Sequence, residues 1–370
     1  MFAMKVWLTL VAVLVASLNT RAQDVPKLLR QAETQWAAGQ AQAAVSSWEQ
    51  AVALAERSGD QALVLLAKSS VGGACACLKQ RDWAERQLRE ALELAGDLGD
   101  EAAAARARVG LGNSLAARGK ISEALAQYEK AAADPVSGPV ALVNGAAVAG
   151  SREWSVRASA AVAEMARKSG NDVRGASGGG ASVSGSGDAA AASRGRSAHQ
   201  LARLWLRCAE TEIRLGDLAE AEAAASAALA LAEQLGDARL RSFAVEQLGR
   251  VAELRGDLPA AEDWTEQALF WAQAAQAPES SYRWHWQLGR LWRMRGRPEQ
   301  ARLALARAAA TLRPIQADLL AGCGFSVGSF RESVGGLYYD WADLILQQAK
   351  TEADLRAACD VIEQFKSAEL

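Results

Sequence analysis

Cysteine and histidine are the residues of this sequence whose chemistry could support nucleophilic catalysis. The chain has two histidines, His199 and His285, and five cysteines. The cysteines are Cys75, Cys77, Cys208, Cys323 and Cys359. An odd, widely spread set is not a disulfide framework, and a catalytic thiolate needs a nearby histidine to activate it. Because His285 lies between two tryptophans and His199 follows a Gly/Ser-rich segment, we interpret both histidines as structural or surface residues.

Metal binding and other enzyme chemistry find little support in the spacing of these residues. Cys75 and Cys77 are two positions apart, and on a helix their thiols point to different sides because successive side chains rotate by about 100°. A metal pair on a helix needs a spacing of about three or four. The sequence has no HExxH or P-loop motif. We therefore expect no catalytic residue, no cofactor site and no metal site in this chain.

The composition favours an all-helical protein. Basic and acidic residues almost balance, at 41 and 43, so no field of one sign predicts a nucleic-acid partner. Half of the residues are hydrophobic, which suffices for a large core. Alanine is abundant, and it is the best intrinsic helix former.

The N-terminus has the three-part layout of a secretory signal. Residues 1–5 carry one positive charge, residues 6–18 are apolar, and Thr20 and Ala22 are small residues placed before Gln23. The apolar run is too short to span a bilayer well. We expect cleavage after Ala22, with residues 1–22 removed and the product exported to the periplasm or secreted; the alternative is an uncleaved anchor. No later segment predicts a membrane span, so we expect no membrane contact after cleavage.

An internal repeat of forty residues is the most informative pattern. Each copy has a small residue, a Gly seven positions later, an Ala five after that, and a second Ala seven further on. The copies start at Ala32, Gly72, Gly112, Ala209, Gly249 and Gly289, and only the second lacks the Gly, which is replaced by Lys79. Small residues allow two antiparallel helices to cross closely, and the Gly permits the left-handed turn that ends the first helix.

Two further features recur with this repeat. A Gly-Asp step that could end one helix and cap the next occurs at Gly59-Asp60, Gly99-Asp100 and Gly236-Asp237. Residues that could fill the gap between helix pairs occur at Trp48, Leu88, Tyr128, Thr265 and Leu305. Because one helix pair cannot bury its apolar face alone, the pattern predicts stacked pairs.

This spacing of Gly and Ala resembles the tetratricopeptide repeat (TPR) over most of residues 24–312. The repeats are longer than the typical repeat of that family, which has about 34 residues. The resemblance implies an all-α, right-handed superhelical solenoid of antiparallel helix pairs. We assign residues 23–168 and 199–312 to TPR-like repeats, with a degenerate pair at 139–168.

The segment between the two repeat groups, residues 169–198, is rich in Gly, Ser and Ala and poor in large apolar residues. Such a segment cannot bury enough surface to offset its chain entropy, so we expect a disordered loop. A Gly-rich phosphate cradle is excluded because the Gly-Lys-Ser/Thr ending is missing and no strand precedes it.

The C-terminal part resembles the repeat region of bacterial proteins with a CHAT domain, a caspase-like fold. The similar segments are residues 282–290, 329–334, 337–346 and 361–370. The resemblance implies that residues 313–370 lead toward a domain that is missing here. The catalytic His and Cys of that family belong to the missing domain, so no residue of this chain takes their roles. The alternative reading is the regulatory half of a caspase-like cysteine peptidase.

The resemblance to TPR proteins also implies a binding groove lined by the first helix of each pair. In register, the residues facing it are Arg106, Asn113, Arg203, Glu210, Arg250, Arg283, Trp286, Arg290 and Arg293. Arginine pairs with carboxylates and tryptophan offers contact area, so an acidic or extended peptide is a candidate ligand. The partner is a protein, a peptide or the chain's own missing domain. Simple solvated charge, or a scaffold that self-associates, are the alternatives.

Overall fold

A computed structural model describes residues 24–37, 40–76, 80–170, 188–316 and 330–367. Within these ranges the regular structure consists of α-helices and two short 3-10 helices, with no strand. None of the described helices is both long and apolar enough to cross a membrane. The signal segment, Gly39 and Lys79 lie outside the described residues. The described chain divides into two compact units, one up to Val148 and the other from Ala149 onward.

The first unit contains the first three predicted repeats. Its described helices are α1 (Asp24–Ala37), α2 (Ala41–Ser58), α3 (Gln61–Ser69), a 3-10 helix (Val71–Ala76), α4 (Arg81–Leu98), α5 (Glu101–Ala117), α6 (Ile121–Ala131) and α7 (Ser137–Ala149). Trp48, Leu65 and Leu88 are buried in its core, and the ring of Trp36 lies 5.7 Å from that of Trp48. The helix-pair pattern predicted for this part of the chain is confirmed.

The second copy differs from the template because its first element is α3 followed by a 3-10 helix. Gly72 and Gly73 lie in that 3-10 helix, and consecutive glycines weaken an α-helix. A Cβ atom on Gly73 would lie 2.4 Å from Cη2 of Trp48. The position therefore excludes any side chain, because the indole of the preceding repeat occupies the space.

The second unit contains nine described α-helices. They are α8 (Arg152–Ser169), α9 (Asp188–Leu215), α10 (Leu218–Leu235), α11 (Ala238–Leu254), α12 (Leu258–Ala274), α13 (Pro278–Met294), α14 (Pro298–Leu312), α15 (Phe330–Gln348) and α16 (Glu352–Ser367), with a 3-10 helix at Arg313–Ile315. The pairs α9–α10, α11–α12 and α13–α14 are the copies that start at Ala209, Gly249 and Gly289. Helices α15 and α16 pack together as one more pair, which the repeat template does not detect.

The predicted Gly-Asp junctions are confirmed. Gly59, Gly99 and Gly236 have φ angles of 72°, 68° and 65°, in the left-handed region that glycine adopts without steric cost. The carboxylate of the following Asp accepts a hydrogen bond from a backbone N–H in the first turn of the next helix at all three junctions. Such a cap contributes about 1 kcal/mol to helix stability.

The larger residues of the repeat occupy two kinds of site. Leu88 lies against Gly110 of the following repeat, as predicted for a residue between pairs. Tyr128 and Leu305 lie against Gly112 and Gly289, which are on the first helices of their own pairs. Because Gly112 and Gly289 have no side chain, they leave a space that Tyr128 or Leu305, on the second helix of the same pair, fills.

The predicted disordered loop at 169–198 extends too far toward the C-terminus. Helix α9 begins at Asp188, so residues 188–198 are helical, and residues 171–187 lie outside the described part of the chain. Four consecutive alanines, residues 189–192, favour a helix, and the buried Ala198 anchors it to the core. Local helix propensity therefore outweighs the Gly/Ser-rich composition here.

The last helix, α16, is buried on one side. Ala358 and Phe365 of α16 are buried, and the ring of Phe365 is stacked on that of Tyr338 of α15 at 5.2 Å. Leu355 and Cys359 are exposed. Helix α15 thus covers the side of α16 that carries Phe365.

The glycine contact between successive repeats predicts a pair of opposite stability effects. A Cβ atom on Gly110 of α5 would lie 3.0 Å from the Cα atom of Gly72 and 2.8 Å from Cδ1 of Leu88. We expect Gly110→Ala to lower the free energy of unfolding by about 2 kcal/mol, because the backbones at Gly110 and Gly72 would have to move apart. Gly96 on α4 has no atom near its Cβ position, so Gly96→Ala should stabilise by about 0.5–1 kcal/mol. Urea denaturation followed by circular dichroism measures the free energy of unfolding of both variants. Equal changes in the two variants would contradict the close approach of Gly110 to Gly72.

Candidate functional site

The first helices of the second unit share a surface of charged residues, which we call the polar face. Its members come from α9, α11, α13 and α15. They are Glu210, Glu246, Arg250, Glu253, Arg283, Trp286, Arg290, Arg293, Asp340 and Asp343. Six of the nine residues predicted from the sequence belong to this set, and the structure brings them together.

Glu246 lies at the centre of the polar face and is almost completely buried. Its side chain is 6% exposed. Nε2 of Gln247 donates a hydrogen bond of 2.8 Å to Oε2 of Glu246, and Nε of Arg250 lies 3.8 Å from Oε1. Burial raises the pKa of the Glu246 carboxyl to about 7; Arg250 and Arg283 oppose the shift, while Glu210 and Glu253 add to it.

Glu253, one helical turn beyond Arg250, links α11 to α13. Nε2 of Gln287 donates to its Oε2 at 3.3 Å, and Arg290 approaches the same oxygen at 3.9 Å. The side chain of Arg290 is 48% exposed and that of Arg250 is 39% exposed. Both arginines therefore have weakly held guanidinium groups that solvent, or a ligand, can reach.

Helix α15 contacts the remaining predicted residues of α13. Nε1 of Trp286 donates a hydrogen bond of 2.6 Å to Oδ2 of Asp340, and Arg293 pairs with Asp343 at 2.6 Å. These contacts fix the orientation of the Trp286 indole and leave it half-buried. The indole consequently offers a rigid apolar surface at one end of the polar face.

Arg203 lies two helical turns before Glu210 on α9 and is exposed. Although the residue as a whole is exposed, its guanidinium is partly buried, and this burial lowers the pKa of Arg203; the nearby Asp237 opposes this shift and Arg239 adds to it. Because its charged neighbours, Asp237 and Arg239, differ from those of Glu246, we place Arg203 at the margin of the polar face.

The two predicted groove residues of the first unit behave differently. Oδ1 of Asn113 accepts hydrogen bonds of 2.8 Å from the Tyr128 hydroxyl and from Nδ2 of Asn144. Asn113 therefore holds α5, α6 and α7 together. Arg106 is exposed on α5.

Histidine and cysteine side chains do not assemble into a reactive group in the described residues. Nε2 of His199 lies 3.2 Å from Oδ2 of Asp237, and burial and Arg307 lower the pKa of His285. Cys208 is buried and Cys359 exposed, whereas Cys77, Cys323 and the Cys75 side chain lie outside the described part. No cluster of three or more potential metal ligands occurs in that part.

Four carboxylates of the polar face were not predicted from the sequence. Glu246 and Glu253 flank Arg250 at helical spacings of four and three, a pattern that could have indicated them. Asp340 and Asp343 come from α15, which has no detectable repeat signal. Only the structure shows that they belong to the polar face, because it places α15 beside α13.

Known proteins provide a match to the fold alone. No protein-family model and no curated protein sequence matches the chain. The apo form of RapI is similar with a TM-score of 0.52 and 10% identity, over 94% of this chain and 99% of RapI. A Rap protein complexed with competence and sporulation factor gives a TM-score of 0.48 at 13% identity, over 94% of this chain and 97% of that one.

A STAND protein with a tetratricopeptide repeat sensor, from Pyrococcus horikoshii, gives a TM-score of 0.49 at 12% identity. The match covers 86% of this chain but 50% of that protein, so the chain spans half of its length. The likeness to RapI and the helix pairs described above show an all-α, TPR-like helical-repeat fold.

Proposed function

We propose that the protein binds another protein through the polar face and holds an extended peptide segment there. The observation that carries this proposal is the row of accessible Arg250, Arg290 and Trp286 on successive first helices. Arginine forms paired hydrogen bonds to carboxylates or carbonyl groups, and a fixed indole supplies contact area. This combination of side chains suits a peptide better than a small apolar molecule.

The ion pairs of the polar face support exchange with a ligand. Arg250 and Arg290 lie 3.8 Å and 3.9 Å from their carboxylate partners, at the outer limit for a salt bridge. The Arg290–Glu253 pair, with side chains 48% and 21% exposed, contributes at most about 1 kcal/mol. Arg290 can therefore turn toward a ligand at little cost to the fold, and Arg250 can do the same when the buried Glu246 is protonated.

The double substitution Arg250→Ala/Arg290→Ala is expected to weaken binding of the natural partner at least about tenfold while the fold remains intact. The partner is first captured by the purified protein from an extract of the cells that produce it and identified by mass spectrometry, and its affinity is then measured with purified components. Arg302→Ala is the matched control, because Arg302 is an exposed arginine on the second helix α14. A partner that binds all three proteins equally would contradict the assignment of the polar face.

A second, finer proposal concerns the context of the chain: we infer that it is the non-catalytic N-terminal part of a CHAT-domain protein, so that a complete product could be a caspase-like cysteine peptidase. The support is the resemblance of residues 282–290, 329–334, 337–346 and 361–370 to the repeat region of that family. The DNA sequence after the Leu370 codon tests it. An in-frame domain bearing His and Cys supports the inference, and a stop codon contradicts it.

Export is a further proposal, supported by the charged start and apolar run of residues 1–22. N-terminal sequencing of the protein recovered from the periplasmic fraction should begin at Gln23. Recovery of the intact N-terminus from that fraction, or of the protein only from the cytoplasm, would contradict cleavage and export.

A further inference from the structure

The buried carboxyl of Glu246 is surrounded by groups of both signs. Glu210 faces it from α9, Arg250 and Glu253 from its own helix α11, and Arg283 from α13. Arg290 joins this cluster through Glu253, which it approaches at 3.9 Å. With Glu246 ionised, three carboxylates face three guanidinium groups and the charges balance. With Glu246 protonated, the cluster has a net positive charge.

The depth of these groups indicates which ligand charge the polar face can accept. Glu246 is 6% exposed beneath Arg250, which is 39% exposed; Glu253 is 21% exposed beside Arg290, at 48%. In both pairs the guanidinium lies closer to solvent than its carboxylate, whereas at the α15 end the Asp343 carboxylate, 53% exposed, is more accessible than its partner Arg293. Glu210 is the exposed carboxylate of the cluster. An incoming peptide meets arginine first along α11 and α13, which favours an acidic segment.

An acidic ligand and an ionised Glu246 compete for the same arginines. Ionised Glu246 attracts Arg250 and Arg283 inward and repels a ligand carboxylate through a medium of low dielectric constant. Protonated Glu246 does neither, and Gln247 still donates to its oxygen. Because burial holds the pKa of Glu246 near 7, both forms are populated around neutral pH.

We propose that the polar face binds an acidic peptide segment together with one proton, which Glu246 takes up. This inference rests on the proposed function and adds the charge class of the ligand and a dependence on pH. By linkage, a ligand that favours protonated Glu246 binds more tightly as the pH falls, and its binding raises the affinity of Glu246 for the proton.

The test uses the full chain and hexaglutamate as the probe, with binding measured at about pH 6 and about pH 8 at fixed ionic strength. The expected dissociation constant is up to about tenfold lower at pH 6, because a carboxyl with a pKa of about 7 is protonated about ten times more often at pH 6 than at pH 8. Calorimetry in two buffers of different ionisation enthalpy should show proton uptake at pH 7. The variant Glu246→Gln should bind equally at both pH values, close to the wild-type affinity at pH 6.

The matched control is Glu210→Gln, which removes a carboxylate from the same cluster but leaves Glu246 in place. It should bind more tightly than wild type at both pH values and keep the pH dependence. A pH dependence that persists in Glu246→Gln overturns the proposal, as does tighter binding of hexalysine than of hexaglutamate. If neither peptide binds, the acidic ligand class is wrong, while the capture experiment with Arg250→Ala/Arg290→Ala still decides whether the polar face binds a protein.

Discussion

Replacement of Glu262 by alanine is expected to lower the local free energy of unfolding of α12 and α13 by about 3 kcal/mol. The Glu262 side chain on α12 is 11% exposed. It accepts a hydrogen bond of 2.8 Å from Nε1 of Trp292 and one of 3.0 Å from Arg297, and it also pairs with Arg295. Alanine would leave an indole N–H and two guanidinium groups without this acceptor, which is costlier than the loss of an exposed ion pair.

The measurement for Glu262 is hydrogen exchange of the α12 and α13 amides, because helix pairs in repeat proteins can unfold separately and a global transition would average over them. Glu266→Ala, at an exposed position of the same helix, serves as the control and should change stability by less than about 0.5 kcal/mol. Glu262→Gln retains a hydrogen-bond acceptor and should cost less than Glu262→Ala. Equal protection in Glu262→Ala and wild type would show that this carboxylate does not link the two helices.

The second large effect is a gain in stability that depends on pH, and we expect it from the substitution Glu246→Gln. Glu246 has a pKa of about 7 in the folded protein, against 4.5 for an unperturbed carboxyl. Between these values the folded state holds the proton more tightly than the unfolded state, so stability falls as the pH rises from about 4.5 to about 7. The shift corresponds to roughly 3 kcal/mol. Glu246→Gln, which is neutral at every pH, should therefore be more stable than wild type above pH 7.

Urea denaturation at about pH 5 and about pH 8 measures this effect. The gain in stability of Glu246→Gln over wild type should be about 2 kcal/mol larger at pH 8. Glu266→Gln provides the reference, since its exposed side chain should give the same small difference at both pH values. A gain from Glu246→Gln that does not change with pH would mean that the buried carboxyl is not neutral at acidic pH.

Much of the fold follows from local signals that a sequence shows directly. Gly236 adopts the left-handed conformation and Asp237 caps α11 because each acts within a few residues of its own position. The close approach of Gly112 to Tyr128 recurs at Gly249 and at Gly289, each time with a residue at the same spacing along the chain. Helix α9 and its early start at Asp188 show the limit of such reasoning, since a short alanine run outweighed the composition of the surrounding segment.

The arrangement of the polar face is set by contacts between residues far apart in sequence. The bond from Trp286 to Asp340 joins residues 54 positions apart, and the burial of Glu246 requires side chains from both neighbouring helices. The sequence predicts which arginines share a face, but it shows neither the carboxylates beneath them nor their depth. Those carboxylates change the interpretation from a fixed basic surface to one whose charge varies with pH.

The identical Gly-Asp junctions have a consequence for how such a chain can change over generations. Gly59-Asp60, Gly99-Asp100 and Gly236-Asp237 each contain both the signal that ends one helix and the signal that starts the next. Recombination between two copies of the gene at any of these junctions would add or remove whole helix pairs without creating a helix that lacks a proper end. Exchange between the Gly59-Asp60 and Gly99-Asp100 junctions, for example, changes the product by forty codons, and the new boundary is already compatible with folding.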